Sequence, residues 1–143
     1  AIIGGESSGG MAVRGHISGK DGIYAAALLV EMLAVTGKSV SELFAEITAQ
    51  YGNPCWAEAD FRMTPERKAE LQKLLFTEKR VPEFVTAVDH ISLEDGCKVY
   101  FKDGSWVICR FSGTEPLLRM AAEGESQSQA RTYIRIWREA LGL

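Results

Sequence analysis

Cysteine is scarce in this 143-residue sequence, and what there is does not pair up: Cys55, Cys97 and Cys109 are an odd number with no CxxC spacing. That pattern argues against a disulfide framework and against a thiolate metal site. Cys97 and Cys109 lie inside strand-like runs and are expected to be buried thiols, which predicts a reducing, cytoplasmic setting. Long hydrophobic runs are missing as well. The longest, around residues 23–30, falls far short of the ~20 residues that span a bilayer, so no membrane partner is expected. Charge of one sign is not in excess: 16 Lys and Arg stand against 19 Asp and Glu, a net charge of -3. A protein that grips a nucleic-acid backbone normally carries a basic surplus, so no nucleic acid is expected either. A local arginine cluster that holds one small phosphate remains compatible with that balance. There is no Walker loop, nucleophile elbow or metal-ligand spacing, no internal repeat, and no basic leader. The opening Ala1-Ile2-Ile3-Gly4-Gly5 has no Met and starts in mid-strand, which predicts a piece of something longer.

What is present is the make-up of a folded globular chain, 46% hydrophobic, 24% charged and 9% aromatic. A chain of this length buries roughly two-thirds of its unfolded surface and needs no staples. A strand end at residues 1–3 breaks into Gly4-Gly5-Glu6-Ser7-Ser8-Gly9-Gly10. A second glycine-punctuated loop runs from Gly15 to Gly22, and Asp21 is placed to cap a helix reaching Thr36. That helix is apolar nearly all round and is expected to be covered on most sides. Ser39 and Glu42 form a capping-box pattern for a second helix that ends at Gly52-Asn53-Pro54, the expected linker and hinge region. Two helices with so little strand predict that residues 1–53 are the tail of an α/β domain.

Residues 54–143 read as a more complete α+β domain. Strands are expected at 56–62, 87–91, 97–101, 106–111 and 117–123, with turns at Glu94-Asp95-Gly96 and Lys102-Asp103-Gly104-Ser105. Thr64-Pro65 opens one helix, and the run from Glu66 to Lys73 reads as its solvated face. Ser126 and Gln129 suggest a capping box for the last helix, which turns Ala130, Tyr133, Ile134, Trp137 and Leu141 inward. His90, in an apolar strand, reads as structural. Together these elements predict an antiparallel sheet with helices packed on it.

Two loops have the residue types to hold oxygen-rich ligands. In the first, the Glu6 carboxylate and Ser8 hydroxyl suit sugar hydroxyls, and the glycines let a ring lie against the backbone. The same residues equally suit a glycine turn with a solvated Glu. The second is Arg110-Phe111-Ser112-Gly113-Thr114-Glu115-Pro116. It offers a guanidinium fork, two hydroxyls and backbone N–H groups around a glycine, the ingredients of a phosphate cradle. Arg119 adds a second cation if strand alternation turns it the same way. The other reading is a hairpin whose Arg pairs with Glu115 or Glu123. His16 and Lys20, in the second glycine loop, are electrostatic candidates or plain solvated side chains.

The two loops in this order, roughly a hundred residues apart, resemble the α-D-phosphohexomutase family, the phosphoglucomutases and phosphomannomutases. The resemblance covers essentially the whole chain but only the C-terminal part of a family member. It implies the end of domain three (1–53) followed by a TATA-box-binding-protein-like domain four (54–143). It implies that Glu6 and Ser8 grip sugar hydroxyls, that Lys20 and His16 act as electrostatic helpers, and that Arg110, Ser112, Gly113 and Thr114 hold the non-reacting phosphate, to which Arg119 is the candidate second cation named above. Ser7 stands where family loops often carry Glu, a departure that leaves Glu6 and Ser8 in place. The family interconverts hexose 1- and 6-phosphates through a hexose 1,6-bisphosphate, using a phosphorylated serine and Mg2+. The loops for both belong to domains one and two and are not matched, so no catalytic or metal residue is expected here and the chain alone is expected to be inactive. The other readings are a stand-alone sugar-phosphate-binding module, which a complete sheet and an initiator Met would favour, and nucleic-acid binding, against which the acidic balance counts.

Overall fold

The computed structural model describes residues 1–6, 9–113 and 115–143, which divide into two compact units, Ala1–Gly52 and Asn53–Leu143. In the first, β1 (Ile3–Gly5) pairs antiparallel with β2 (Met11–Val13), Ile3 opposite Val13. The connection closes on itself: the Glu6 N–H donates to the Gly10 carbonyl and the Gly9 N–H to the Glu6 carbonyl, both at 2.9 Å. Gly9 has φ +87°, the left-handed region that favours glycine. Helix α1 (Gly22–Thr36) starts where Asp21 Oδ1 accepts the Ile23 and Tyr24 N–H groups, each at 3.0 Å. It stops at left-handed Gly37. Helix α2 (Val40–Tyr51) starts on the Ser39–Glu42 capping box.

The composition of α1 predicts a covered helix, yet none of its residues is buried in this structure, and Ile23 and Val35 are 87% and 79% exposed. No single helix among the described residues is long and apolar enough to cross a membrane. α1 and α2 together reach that length and composition but bend by 84°.

The second unit runs β3 (Cys55–Arg62), α3 (Pro65–Gln72), a π-helical turn (Lys73–Thr77), β4 (Val88–Ser92), β5 (Cys97–Phe101), β6 (Trp106–Phe111), β7 (Leu117–Gly124) and α4 (Gln127–Leu141). Its α+β fold is an antiparallel five-stranded sheet in the order β3-β7-β6-β5-β4. Alternation sorts the side chains into two sets. Val99, Phe101, Val107, Cys109, Leu118, Met120 and Ala122 face inward, where Tyr133, Trp137 and Leu141 of α4 and Leu71 and Leu75 of the segment after β3 close over them. The outer set forms cross-strand rows. One row is Trp56, Glu123, Trp106, Tyr100 and His90, with Lys98 Nζ 3.8 Å from the Trp106 ring centroid.

His90, read as structural, sits on the outer face of edge strand β4 beside a bulge between Val88 and His90, and its ring stacks on Tyr100 at 4.4 Å. One local expectation shifts: Gln129 does not return to its own N-cap. Ser126 Oγ accepts the Gln129 N–H at 3.2 Å, but the Gln129 amide takes the Glu125 N–H and donates to Asp103 and to the Tyr133 hydroxyl. That network ties the β5–β6 turn to α4 through Ser105, whose hydroxyl meets the Tyr133 hydroxyl at 2.9 Å.

Cys97 and Cys109 face each other across β5 and β6 as buried free thiols. Burial pushes the Cys97 thiol up to about 11 from an ordinary 9.0, and burial together with its neighbour raises Cys109 well above that ordinary value. Both stay protonated in the folded chain after the unfolded chain has begun to lose those protons. The stability tied to them is therefore complete below pH 9 and is lost as pH rises toward 11. Urea midpoints should fall between pH 9 and 11, and a Cys97→Ala, Cys109→Ala variant should lose part of that slope.

Candidate functional site

Each unit carries one candidate site. In Ala1–Gly52 the two glycine-punctuated loops meet. Lys20 Nζ donates to Glu6 Oε2 at 2.6 Å, and the Lys20 stem crosses the turn so closely that a Cβ on Gly10 would lie 2.3 Å from Lys20 Cδ. Gly10 thus lets the lysine reach across the backbone to the carboxylate. His16 takes another partner. Its Nε2 lies 2.8 Å from Asp21 Oδ2, and its ring stacks on Tyr24 at 4.0 Å. Asp21 serves two structures at once, the cap of α1 through Oδ1 and the imidazole through Oδ2. The His16 hydrogen bond, first, and the Tyr24 N–H hold its carboxyl below the usual range. Glu6 and Lys20 are therefore brought together, and His16 is oriented by the helix cap. Ser8 lies outside the described residues.

In Asn53–Leu143 the loop between β6 and β7 is positioned by their register. Arg110 stands directly opposite Arg119, and Arg119 opposite Asp60. Alternation puts all three on the outer face, so the second cation does turn the same way as the first. Like charges opposite one another repel, and each guanidinium has a carboxylate of its own. Arg110 Nε lies 3.3 Å from Asp95 Oδ1, and Arg119 Nη2 lies 2.9 Å from Glu115 Oε2. The foreseen pairing of an arginine with Glu115 is present, made by Arg119, while Arg110 pairs with Asp95.

Ser112 is fixed from three sides. Its N–H donates to the Leu117 carbonyl at 2.9 Å, its Oγ accepts the Glu115 N–H at 3.2 Å, and its carbonyl accepts from Lys68 Nζ at 3.1 Å. The Ser112 N–H is thus committed to the ladder, while its hydroxyl hydrogen is left to donate outward. A Cβ on Gly113 would meet nothing within 4 Å, so an oxyanion can approach that backbone. Thr114 lies outside the described residues. Two guanidinium forks, a hydroxyl donor and an unobstructed glycine can together bind a phosphate dianion by charge-assisted hydrogen bonds.

Two contributors escaped the sequence. Lys68 belongs to the α3 run read as solvated, yet it reaches the loop and lies 6.0 Å from the Phe111 ring centroid. Asp95 sits in a turn recognised only as a turn. Among the described residues no three His, Cys, Asp or Glu side chains converge to hold a metal ion.

A family model described as phosphoglucomutase/phosphomannomutase, alpha/beta/alpha domain III, matches residues 1–51. A second, phosphoglucomutase/phosphomannomutase, C-terminal domain, matches residues 60–138. A phosphoglucomutase/phosphomannomutase of Thermococcus kodakarensis is 35% identical over 136 residues, 94% of this chain and 27% of its own length. A phosphoglucosamine mutase of Geobacter metallireducens is 32% identical over 127 residues, 89% of this chain and 24% of its own. The chain thus spans about a quarter of the length of the curated relatives it matches. A crystal structure of a Thermus thermophilus protein with a provisional phosphomannomutase name superposes on 99% of this chain and 27% of its own, with TM-score 0.69 and 27% identity.

Lys68 supports the loop by donating to a carbonyl rather than by facing solvent. Lys68→Met keeps the stem over Phe111 and removes the donor. The Ser112 and Glu115 amides should then exchange with solvent several-fold faster while the strand amides of 97–101 are unchanged.

Proposed function

The chain belongs to the phosphoglucomutase/phosphomannomutase family, and from that premise we propose that it supplies the sugar-gripping and phosphate-holding parts of a mutase that interconverts hexose 1- and 6-phosphates through a hexose 1,6-bisphosphate. The observation that carries the reading is the pair Arg110 and Arg119, in register on the outer face beside the Ser112–Gly113 turn. A phosphate held there is gripped by charge and by hydrogen bonds that ignore which carbon bears it. A sugar bisphosphate that turns over between two transfers needs such indifference. Arg110, Ser112, Gly113 and Thr114, with Arg119, hold the phosphate that does not react.

Glu6 and Ser8 grip the sugar hydroxyls. Lys20, already on the Glu6 carboxylate, and His16, oriented by Asp21, act on the same region electrostatically. The relatives are called phosphoglucomutase/phosphomannomutase and phosphoglucosamine mutase, which supports hexose phosphates as the substrate class. The phosphorylated serine and the Mg2+ site would come from the remaining domains of the same polypeptide. Mg2+ supplies charge stabilisation to phosphoryl transfer when bound. A reducing, cytoplasmic setting belongs to the same reading, supported by the two buried, unbridged thiols.

Titration with glucose 1,6-bisphosphate should shift the backbone amides of residues 110–113. Arg110→Ala should weaken that binding roughly 10- to 150-fold, the ~1.5–3 kcal/mol of a charged hydrogen bond. Unshifted amides, or the same shifts with an uncharged sugar, would count against the phosphate site. The 143-residue chain alone should convert no glucose 1-phosphate with or without Mg2+. Turnover by the chain alone would mean that the transferring groups lie within it.

A further inference from the structure

We propose that Asp95 is a built-in competitor of the bound phosphate: it holds the Arg110 guanidinium when no ligand is bound, gives it up to the ligand, and takes it back on release. The proposal rests on the phosphate-site reading above and adds to it what sets the affinity and the rate of letting go.

The placement of Asp95 is built into the sheet. Its turn joins β4 to β5, and the register Cys97 opposite Cys109 brings the residue before Cys97 against Arg110. That residue is Gly96, with φ +132°, where a Cβ would lie 2.7 Å from the Cys109 carbonyl oxygen and 3.1 Å from Arg110 Cβ. Only a glycine allows the turn to press this closely on β6. The turn therefore delivers a short, two-torsion carboxylate to the flank of Arg110, at 3.3 Å from Nε.

The strength of the contact suits exchange. Both side chains are more than half exposed, and exposed single ion pairs are weak. A phosphate dianion carries more charge, reaches both guanidinium groups and accepts two parallel N–H bonds from either. It outcompetes the carboxylate when present and is helped off by it when leaving. Without Asp95, Arg110 would face Arg119 across the ladder with no carboxylate of its own, a cation primed for anions beside a like charge. Glu115 plays the equivalent part for Arg119, but its N–H also bonds Ser112 Oγ within the loop. Asp95 lies outside the loop and can be tested separately.

The test compares binding of inorganic phosphate and of glucose 1-phosphate to the chain and to Asp95→Asn, Glu94→Gln, Arg110→Ala and the Asp95→Asn, Arg110→Ala double variant. Amide spectra report that each remains folded. Asp95→Asn should tighten binding of both ligands about three- to tenfold, mainly through slower dissociation. The gain should vanish in the Arg110→Ala background. Glu94→Gln makes the same change in net charge one residue away and should leave affinity unchanged. Equal or weaker binding by Asp95→Asn, or an equal gain from Glu94→Gln, overturns the competitor while Arg110→Ala still reports on the phosphate site. Absence of phosphate binding by the chain and by Asp95→Asn alike overturns the site and the competitor together.

Discussion

The hydrogen-bonded register of β6 against β7 fixes both sides of the sheet at once. Cys109 opposite Met120 and Phe111 opposite Leu118 supply the inner face, and Arg110 opposite Arg119 lies between them on the outer one. A slip of one residue would carry a guanidinium into the core and a thiol out of it. The free energy that buries the inner residues therefore also holds two cations side by side. The candidate site needs no scaffold of its own, because it is the reverse side of the core.

The charged groups named in the two sites share a further property: they are partnered before any ligand arrives. Lys20 is on Glu6, His16 on Asp21, Arg110 on Asp95 and Arg119 on Glu115. A ligand taken up there would exchange partners rather than meet bare charge. Exchange would keep affinity moderate, because each new contact would replace an ion pair or hydrogen bond that existed. It also spares the sheet the repulsion that two unneutralised arginines would impose.

Much of this was legible in the chain. Asp21, Ser39, Thr64 and Ser126 announce the starts of four helices because capping chemistry is local. Alternation in 97–101 and 106–111 announces buried strands for the same reason. What stayed hidden depends on reach across elements. Asp95 meets Arg110 only through the register of a neighbouring hairpin, and Lys68 meets Ser112 only because α3 begins beside the loop, where the Met63 N–H donates to the Pro116 carbonyl. His90 stands on the outer face because the register sets it opposite Tyr100. One partner of Gln129, Asp103, lies in a turn 26 residues away. None of these has a signature in a short window of sequence.

The two-sided sheet also bears on how such a chain can diverge. Positions 56, 58, 98, 100 and 106 point away from the helices, and their side chains touch mainly one another. Drift at those positions leaves the packed side undisturbed, so a lineage can explore new surface chemistry around the arginine pair without passing through unfolded intermediates. Positions 97, 99, 107 and 109 have no such latitude. Within one strand, neighbours in sequence therefore evolve under opposite rules, one residue free to wander and the next held in place.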